Sequence, residues 1–356
     1  MAEKLTIGII YGSDTAHLPE RSEEFAGLSL DMRGHNDAPR LIDARAADVV
    51  PLLMTPEYLS RSWRYDFSRF DVIFNSLADP DLNATTLLVA ISALAGVSTP
   101  IVNDPRNVIR TRRDIVAGML QGLEGLVVPK TARLMPGETA SSVVADRSMS
   151  YPILLRGAGS HTGVGLVKVA NAAELDAAID SGAVAPPAYL TEYVDCRGAD
   201  GLHRKMRLMV CGATVVMRHH LFSDHWMVNA ASQKFMEDRP DLLEFERQAA
   251  ADPLTLLPQR GAQLMTTIKN RIGLDYFGID CATLPDGRLV VFEVNAVMNM
   301  LPPSRHAIRG PFTLAAIGRV AEDLNTLLRS RAGSAKRKSR PATAGGRRGR
   351  NATSSQ

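Results

Sequence analysis

The most constraining feature of this sequence is a predicted β-hairpin in its last third. Two segments rich in β-branched and aromatic residues, 276–284 and 288–294, flank a short stretch that contains Asp286-Gly287. Asp-Gly is typical of two-residue type I′ turns, which join antiparallel strands and fix how their residues pair. The last third of the chain is therefore expected to form an antiparallel sheet around this hairpin.

The pairing brings polar side chains together. With Asp286-Gly287 as the two loop residues, Asp280 lies directly opposite Glu293, and Asn295 shares the sheet face of Glu293. Opposed side chains have Cβ atoms about 4.5–5.5 Å apart, so two carboxylates repel each other there. Mg²⁺ prefers such hard oxygen ligands and would remove the repulsion. Two alternatives stay open: an arginine pairs with Glu293, or a bulge shifts the register.

A glycine-rich segment, RGAGSHTGVG at 156–165, lies between two further predicted strands, 151–155 and 166–169. Its glycines let backbone N–H groups approach a ligand closely, and Ser160 and Thr162 add hydroxyls. It lacks the Gly-Lys-Ser/Thr ending of a P-loop, and the strand after it does not fit a dinucleotide-binding fingerprint. A glycine loop between two strands is typical of a flap that closes over phosphates; the alternative is a mobile hairpin without a ligand.

Four arginines supply positive charge near these features. Arg156 precedes the glycines, Arg113 falls on a helix predicted over 106–123, and Arg207 and Arg218 fall on a predicted hairpin. Guanidinium groups are always charged and bind phosphates and carboxylates through paired hydrogen bonds. The alternative for each arginine is an ordinary surface ion pair.

The first hundred residues predict a parallel sheet. Apolar runs at 5–11, 71–77 and 98–103 read as buried strands, and a helix capped by Asn83 fits between the last two. This strand–helix–strand order is typical of α/β domains, whereas residues 13–50 carry no clear pattern. The other predicted elements are a strand at 189–194, a hairpin at 206–211 and 213–218, and helices at 171–181 and 258–272.

Composition separates the tail from the rest of the chain. Residues 331–356 carry eight Lys/Arg and no acid. The whole chain has a net charge of +3, so residues 1–330 alone have a net charge of −5. This segment is rich in Gly, Ser, Ala and Thr and has too few apolar residues to offset the entropy of ordering, which predicts disorder. A basic tail can bind nucleic acid electrostatically, but this one has no aromatic residue for base stacking.

Cysteines and hydrophobic stretches exclude several classes of protein. The three cysteines are isolated, without Cys-x-x-Cys spacing, which argues against a disulfide framework and a zinc site. No apolar stretch approaches the roughly 20 residues that span a bilayer. The N-terminus lacks the basic start and cleavage site of a signal peptide, so a cytoplasmic protein is expected.

The order of these segments resembles the ATP-grasp superfamily over residues 70–305. The resemblance rests on RGAGSHTGVG, on TEYV at 191–194 and on FGIDCATLPDGRLVVFEVNA at 277–296. It is strongest to ribosomal-protein glutamate ligases and to glutathione-synthetase-like carboxylate–amine ligases. The implied fold is α/β, with a two-lobed α+β ATP-grasp unit. Its parts are an N-terminal parallel-sheet (pre-ATP-grasp) domain (1–105), a lobe with the glycine-rich flap (106–185), a lobe with the metal site (186–330) and a disordered basic tail (331–356).

The resemblance also implies roles for single residues. Asp280, Glu293 and Asn295 match the family's Mg²⁺ ligands, with Mn²⁺ as an alternative metal. Arg207 matches the arginine of the family's Asp-x-Arg-x-x-Val-x-Gly strand, and Arg218 falls where the family has a basic residue near the transferred phosphate, so both are catalytic candidates. The residues expected to bind ATP are Arg113, Arg156, Gly159, Ser160, His161, Thr162 and Gly163 around the phosphates, Glu192, Tyr193 and Val194 at the adenine, Asp195 and Asp200 at the ribose, and Lys205.

This chain departs from the family pattern at four places, one of which is its ending, where the family's common Asn-x-x-Pro-Gly reads NAVMNMLPPS at 295–304. Arg156 replaces a phosphate-binding lysine, the second usual lysine is replaced around Arg112-Arg113-Asp114, and Lys205 replaces an aspartate. The first two replacements keep the positive charge but change its geometry. The acceptor site is left unassigned.

The implied function is that of an ATP- and Mg²⁺-dependent carboxylate–amine ligase that forms ADP through an acyl phosphate. The expected partners are carboxylate and amine substrates, either small molecules or peptides, and a second copy in a homodimer; nucleic acid and membranes are not expected. One alternative is an ATP-binding regulatory protein without turnover, which the arginine-for-lysine replacements favour. The others are a phosphotransferase on the same fold and a nucleic-acid-associated protein that uses the tail.

Overall fold

The structure of this protein, a computed structural model, describes residues 4–16, 32–258 and 260–338, with 335–338 described by their backbone alone. Its first sheet is parallel, and its central strand is apolar and buried on both faces, as is typical of parallel sheets: Ile7, Ile9 and Ile10 are at most 1% exposed. The predicted parallel sheet is thus confirmed. Its strands are β1 (Leu5–Gly12), β2 (Ala47–Met54), β3 (Val72–Asn75) and β4 (Ile101–Val102), in the order β2-β1-β3-β4, with α1 (Ala84–Ala93) between β3 and β4.

A connecting segment leads from this sheet to a smaller lobe. It contains α2 (Pro105–Val108), α3 (Arg113–Leu120) and β5 (Leu126–Val127). The single helix predicted over 106–123 is therefore wrong. Arg112 leaves the helical conformation, with ψ of 142°, so that Arg113 is the first residue of a new helix.

The second sheet belongs to the smaller lobe and is antiparallel, in the order β6-β9-β7-β8. Asn171 caps the second helix of this lobe as predicted, because its side chain accepts a hydrogen bond from the backbone N–H of Glu174 at 3.0 Å. The elements of the lobe are β6 (Thr131–Leu134), α4 (Ala140–Asp146), β7 (Ile153–Gly157), β8 (Val167–Val169), α5 (Ala172–Asp180) and β9 (Ala188–Glu192).

The third sheet carries the terminal hairpin, in the order β11-β10-β12-β13-β5. One of its helices, α8, ends as predicted at Gly273, whose φ of 74° is left-handed. The elements are β10 (His203–Cys211), β11 (Thr214–Ser223), α6 (Ser232–Glu237), α7 (Pro240–Ala251), α8 (Gly261–Ile272), β12 (Tyr276–Thr283), β13 (Leu289–Asn295) and α9 (Arg309–Lys338).

The hairpin of β12 and β13 has the predicted pairing at the polar residues but a different turn. Asp280 pairs with Glu293 as predicted, whereas Cys281 pairs with Val291. The loop is Pro285-Asp286-Gly287, with Gly287 left-handed at φ 84°. The predicted two-residue type I′ turn is therefore wrong, since this is a three-residue turn of the kind that ends in a left-handed glycine.

A β-bulge corrects the register that this turn sets. Phe292 is the extra residue on β13, so the pairing shifts by one between Asp280 and Cys281. A second bulge lies on β11, where Leu208 pairs with Met217 but Arg207 pairs with His219. Arg218 is its extra residue. Both bulges flank one row of residues that crosses four strands: Glu293, Asp280, Arg207 and His219.

The last helix extends into the segment predicted to be disordered. The α9 helix runs to Lys338, so the predicted start of disorder at 331 is wrong for residues 331–338. Ala332 is buried, and Arg331 forms an ion pair with Asp275 at 2.6 Å, contacts that composition alone does not reveal. The rest of the predicted tail, 339–356, lies outside the described residues. Within the part of the chain that is described, no helix has the length and apolarity needed to cross a membrane.

A buried ion pair joins α7 to α9. The Arg309 Nε atom lies 2.7 Å from Glu246 Oε2, and the two side chains are 5% and 1% exposed. The other carboxylate oxygen of Glu246 accepts a hydrogen bond from the backbone N–H of His220 at 3.0 Å. The pair thus connects two helices to β11.

His220 makes the folded protein sensitive to acid. Its ring packs 4.5 Å from the ring of Phe222, and within the described residues neither of its nitrogens has a hydrogen-bond partner. Burial, and to a smaller extent Arg204, lowers the pKa of His220 to about 3. The unfolded chain binds this proton with a pKa of about 6.5. Stability is therefore lost as the pH falls from about 6.5 towards 3, by about 1.4 kcal/mol for each pH unit.

We expect the His220→Phe variant to lose this dependence, because phenylalanine keeps the ring contacts and takes up no proton. The measurement is the free energy of unfolding in urea at about pH 7.5 and about pH 5. The difference between the two pH values should shrink by about 2 kcal/mol relative to the unsubstituted protein. An unchanged difference would contradict the assignment.

Candidate active site

A cleft between the second and third sheets collects many of the charged residues that the sequence singled out. The second sheet contributes one wall, and residues of β10, β12 and β13 contribute the other. Arg113 reaches into the cleft because it is the first residue of α3. The predicted site residues that line this cleft are Arg113, Arg156, Gly163, Glu192, Tyr193, Val194, Lys205, Asp280 and Glu293.

Asp280 lies in the cross-sheet row and is only 4% exposed. Arg207 donates two hydrogen bonds to its carboxylate, at 2.7 and 2.9 Å, and Lys205 donates a third at 3.1 Å. Burial on its own raises the pKa of Asp280, but the charges of Lys205 and Arg207 outweigh it and hold the pKa well below its usual range. Asp280 is therefore ionised at neutral pH.

Glu293 faces Asp280 and is bound from the other side. Arg113 and the side-chain amide of Asn295 both donate to its Oε1 atom. Burial raises the pKa of Glu293, but Arg113 and Arg156 lower it further, so the net shift is downward. Of the two alternatives left open by the sequence, the first occurs, since an arginine pairs with Glu293. A bulge also lies beside Glu293, but it leaves Glu293 paired with Asp280.

The donor set fits a small hard cation. Asp280 and Glu293 are two ionised carboxylates side by side, and Asn295 is 6% exposed and adds an amide next to them. No cluster of three or more His, Cys, Asp or Glu suited to a metal occurs in the described part of the chain. The protein thus offers two carboxylates and an amide, which suits Mg²⁺ because this ion keeps waters and phosphate oxygens as its other ligands.

Within the described residues, Arg156 is a cation without an acidic hydrogen-bond partner. Its guanidinium donates there to Ser160, to the backbone carbonyl and at 3.3 Å to Oγ. Burial, followed by the neighbouring charge of Arg113, lowers the pKa of Arg156 to about 10. An arginine still carries its charge at neutral pH under these conditions, so this part of the cleft favours an anion.

Aromatic residues line the opposite end of the cleft. The rings of Tyr193 and Trp226 meet edge to face at 6.1 Å, and the ammonium group of Lys168 lies 4.4 Å and 4.9 Å from their centroids. Glu192 turns its carboxylate away, since it accepts from the backbone N–H of Ser150 at 2.8 Å. Val194 lines the cleft between Tyr193 and the third sheet. These surfaces suit a flat ring.

The remaining predicted residues lie around the cleft. Asp195 binds Arg197 at 2.8 Å, and Asp200 binds Arg204 at 2.5 Å, both near its rim. Arg218, re-aimed by its bulge, donates to the carbonyl of Pro302 at 2.7 Å, and burial followed by the charge of Arg207 lowers its pKa.

The glycine-rich flap crosses the front of the cleft. Gly159, Thr162 and Gly163 have left-handed φ values of 70°, 59° and 81°, and only the glycines adopt these without strain. Ser160 binds Arg156, as described. His161, a predicted phosphate ligand, instead lies 2.6 Å from Asp79 Oδ2, in the segment between β3 and α1.

Sequence reasoning missed several residues of the site. Trp226 and Lys168 lie in no recognisable sequence motif, although Trp226 is one of only two tryptophans in the chain. Phe292 was assigned to a regular strand, and the bulge turns it to the cleft wall. Asp79 stands 82 residues before His161, and nothing in the local sequence connects the two.

Comparisons with known proteins identify the fold. No protein-family model and no curated protein matches the chain. Several solved structures resemble it. D-alanine–D-alanine ligase from Bacillus anthracis complexed with ATP has a TM-score of 0.55 and 14% identity, covering 94% of this chain and 99% of that one. VanG D-Ala:D-Ser ligase from Enterococcus faecalis has a TM-score of 0.52 and 15% identity, with coverage of 92% and 100%. D-alanine–D-alanine ligase from Coxiella burnetii has a TM-score of 0.51 and 12% identity, with coverage of 94% and 98%.

The chain therefore has the ATP-grasp fold. The fold class predicted from the sequence is confirmed. The finer resemblance, to ribosomal-protein glutamate ligases and glutathione-synthetase-like enzymes, stays a prediction.

Proposed function

We propose that this protein is an ATP- and Mg²⁺-dependent carboxylate–amine ligase that forms ADP. The observation that carries the proposal is the pair of ionised carboxylates, Asp280 and Glu293, in a cleft where Arg156 has no acidic hydrogen-bond partner among the residues that the structure describes. The resemblance in fold to ligases, one of them complexed with ATP, supports the same function. The proposal divides the chain near residue 105 and after β9, which pairs with β6 and β7 in the second sheet. The nucleotide would lie between the two lobes that carry the second and third sheets.

Each part of the cleft then has a role. Tyr193 and Trp226 would contact the adenine, while Arg113 and Arg156 would bind the phosphates. Asp280, Glu293 and Asn295 would hold Mg²⁺, which neutralises phosphate charge when bound. In this arrangement Arg207 and Lys205 would keep Asp280 ionised and oriented.

The reaction would proceed in two steps. An oxygen of the substrate carboxylate attacks the γ-phosphorus of ATP, ADP leaves, and an acyl phosphate forms. The nitrogen of an amine then attacks the acyl carbon, loses a proton, and inorganic phosphate leaves. The protein contributes positioning and electrostatic stabilisation, because neither step needs a nucleophile from the chain.

A substrate panel tests the activity directly. The protein is incubated with Mg²⁺-ATP and a range of amino acids and short peptides, singly and in pairs, while released phosphate and product mass are measured. A product with the summed mass of two substrates less water supports the ligase. A phosphorylated product without phosphate release would support the phosphotransferase, and nucleotide binding without any product from a broad panel would favour the regulatory protein. The cytoplasmic location and the homodimer stay predictions.

Nucleotide binding should change the fluorescence of Trp226. Replacing Trp63, the other tryptophan, with phenylalanine leaves Trp226 as the sole reporter. We expect titration with Mg²⁺ and the non-hydrolysable analogue AMP-PNP to give a saturable change. The Arg156→Ala variant should bind at least about tenfold more weakly, since it loses a charge-assisted contact with phosphate.

The matched control is Arg147→Ala, which removes an exposed arginine at the end of α4. This variant should bind the analogue like the parent protein. An equal loss of affinity in both variants would mean that Arg156 acts only through the net charge of the protein. No fluorescence change in any variant would contradict the nucleotide site.

A further inference from the structure

Among the residues that the structure describes, the flap forms one side-chain hydrogen bond with the N-terminal domain. His161 Nε2 lies 2.6 Å from Asp79 Oδ2, and the Asp79 side chain is only 4% exposed. The other oxygen of Asp79 accepts hydrogen bonds from the backbone N–H groups of Asp81 at 2.8 Å and of Leu82 at 3.3 Å. The carboxylate is therefore held in place by its own loop, and one oxygen is left for the flap.

Close packing accompanies this contact. A Cβ atom at Gly159 would lie 2.6 Å from the side chain of Leu82, so the flap backbone rests directly on the loop that carries Asp79. On the other side of the cleft, a Cβ atom at Gly163 would lie 3.3 Å from Asn229 and 3.4 Å from Met227. The flap thus spans the opening from the N-terminal domain to the lobe that carries Asp280.

The loop under the flap is anchored independently of it. Asp81 binds Arg133 at 2.5 Å and accepts from the Tyr189 hydroxyl at 2.8 and 2.9 Å, and both partners belong to the second sheet. The position of Asp79 therefore does not depend on His161. Between flap and loop lies a small cavity that Asp79 and His161 share with Arg113, Glu293 and Asn295. Opening the flap on this side would expose the carboxylates to water.

We propose that Asp79 is a positioning residue that holds the flap closed by binding His161, and that the two residues together seal the side of the active site that faces the N-terminal domain. This inference rests on the proposed function, in which an acyl phosphate must be protected from water. Asp79 acts through His161 and does not touch the reacting atoms. His161, which the sequence predicted to bind phosphate, thereby has Asp79 as its proposed partner.

The test measures hydrogen exchange of the flap amides, residues 158–165, by mass spectrometry, with and without Mg²⁺-AMP-PNP. Asp79→Asn keeps the size and the contacts of the acid within its loop but removes its charge, and His161→Ala removes the partner. Each variant should speed flap exchange by about tenfold, as expected for loss of one charge-assisted hydrogen bond. The double variant should be no faster than either single variant, because both remove the same contact. His161→Gln, which keeps a donor, should restore part of the protection.

Two controls separate this role from a general loss of structure. The first control is Asp66→Asn, which alters another acid of the N-terminal domain. The Asp66 side chain accepts a hydrogen bond from the backbone N–H of Ser68, and it does not contact the flap. This variant should leave flap exchange unchanged. Exchange of the amides in β1 and β12 should stay the same in all variants.

Equal flap exchange in the parent protein and both single variants would overturn the proposal, as would effects that add in the double variant. Binding of AMP-PNP to the parent protein is read separately by Trp226 fluorescence. If the analogue does not bind, the proposed function fails, whereas exchange in the nucleotide-free protein still decides whether Asp79 holds the flap.

Discussion

Replacing Asp280 with asparagine is expected to reduce nucleotide-dependent phosphate release by at least about 100-fold. Asparagine keeps the size of the side chain but removes one of the two carboxylate charges that face each other across β12 and β13. A divalent cation would then be held by Glu293 and Asn295 alone. The measurement is phosphate release with Mg²⁺-ATP and the substrates found in the panel.

A second readout needs no substrate. The affinity for AMP-PNP, measured by calorimetry, should depend on Mg²⁺ in the parent protein and lose most of that dependence in Asp280→Asn. The matched control is Asp275→Asn, an acid one residue before β12 that pairs with Arg331 away from the cleft. If the control loses as much of the Mg²⁺ dependence as Asp280→Asn, the metal assignment is wrong.

The same substitution should lower the free energy of unfolding. It removes the carboxylate charge that Arg207 and Lys205 both bind. The side chains of Arg207 and Lys205 are 26% and 21% exposed. Because they are partly solvated, we expect a loss of about 2 kcal/mol, below the usual range for a fully buried pair. Since the pKa of Asp280 is lowered, its contribution is present at neutral pH and disappears as the pH falls below about 3.9.

The largest effect on stability is expected at the ion pair between α7 and α9. The Arg309→Met variant leaves Glu246 buried without its partner, which should cost about 3–5 kcal/mol and lower the melting temperature by several degrees. Burial raises the pKa of Glu246 even with Arg309 present. Without Arg309 the carboxyl takes up a proton more readily, so the loss should be smaller at about pH 5 than at about pH 8.

Two further variants test this explanation. Adding Glu246→Gln to Arg309→Met removes the unpaired charge and keeps the acceptor for the His220 backbone, so part of the stability should return. The exposed pair Glu244 and Arg247 lies on the same helix, with side chains 47% and 52% exposed. Arg247→Met should leave the melting temperature unchanged. A double variant as unstable as Arg309→Met would point to lost packing of the arginine instead.

Local patterns predicted the parts of the fold that depend on neighbours in sequence. The buried strands of the parallel sheet, the cap at Asn171 and the end of α8 at Gly273 follow from apolar runs and from residues with special backbone preferences. The pairing of Asp280 with Glu293 was also predicted, although two errors cancelled: the turn is one residue longer than expected, and the bulge at Phe292 compensates.

Features that depend on distant contacts were not predictable in this way. The extension of α9 past residue 331 is held by Asp275, and the flap is held by Asp79; both partners are remote in sequence. The break before α3 separates two segments that share a continuous helical pattern. In each case the local sequence allows two outcomes, and packing against another element selects one.

The hairpin between the two acids has a consequence for how related sequences should be aligned. Residues paired across a regular hairpin with a three-residue loop are an even number of positions apart, yet Asp280 and Glu293 are thirteen apart. Phe292 supplies the odd residue. A homologue with its two acids one position closer can therefore keep the same turn and the same facing pair by lacking the bulge. The gap in such an alignment belongs at Phe292 and not at the tip, and that homologue would lack the aromatic wall of the cleft.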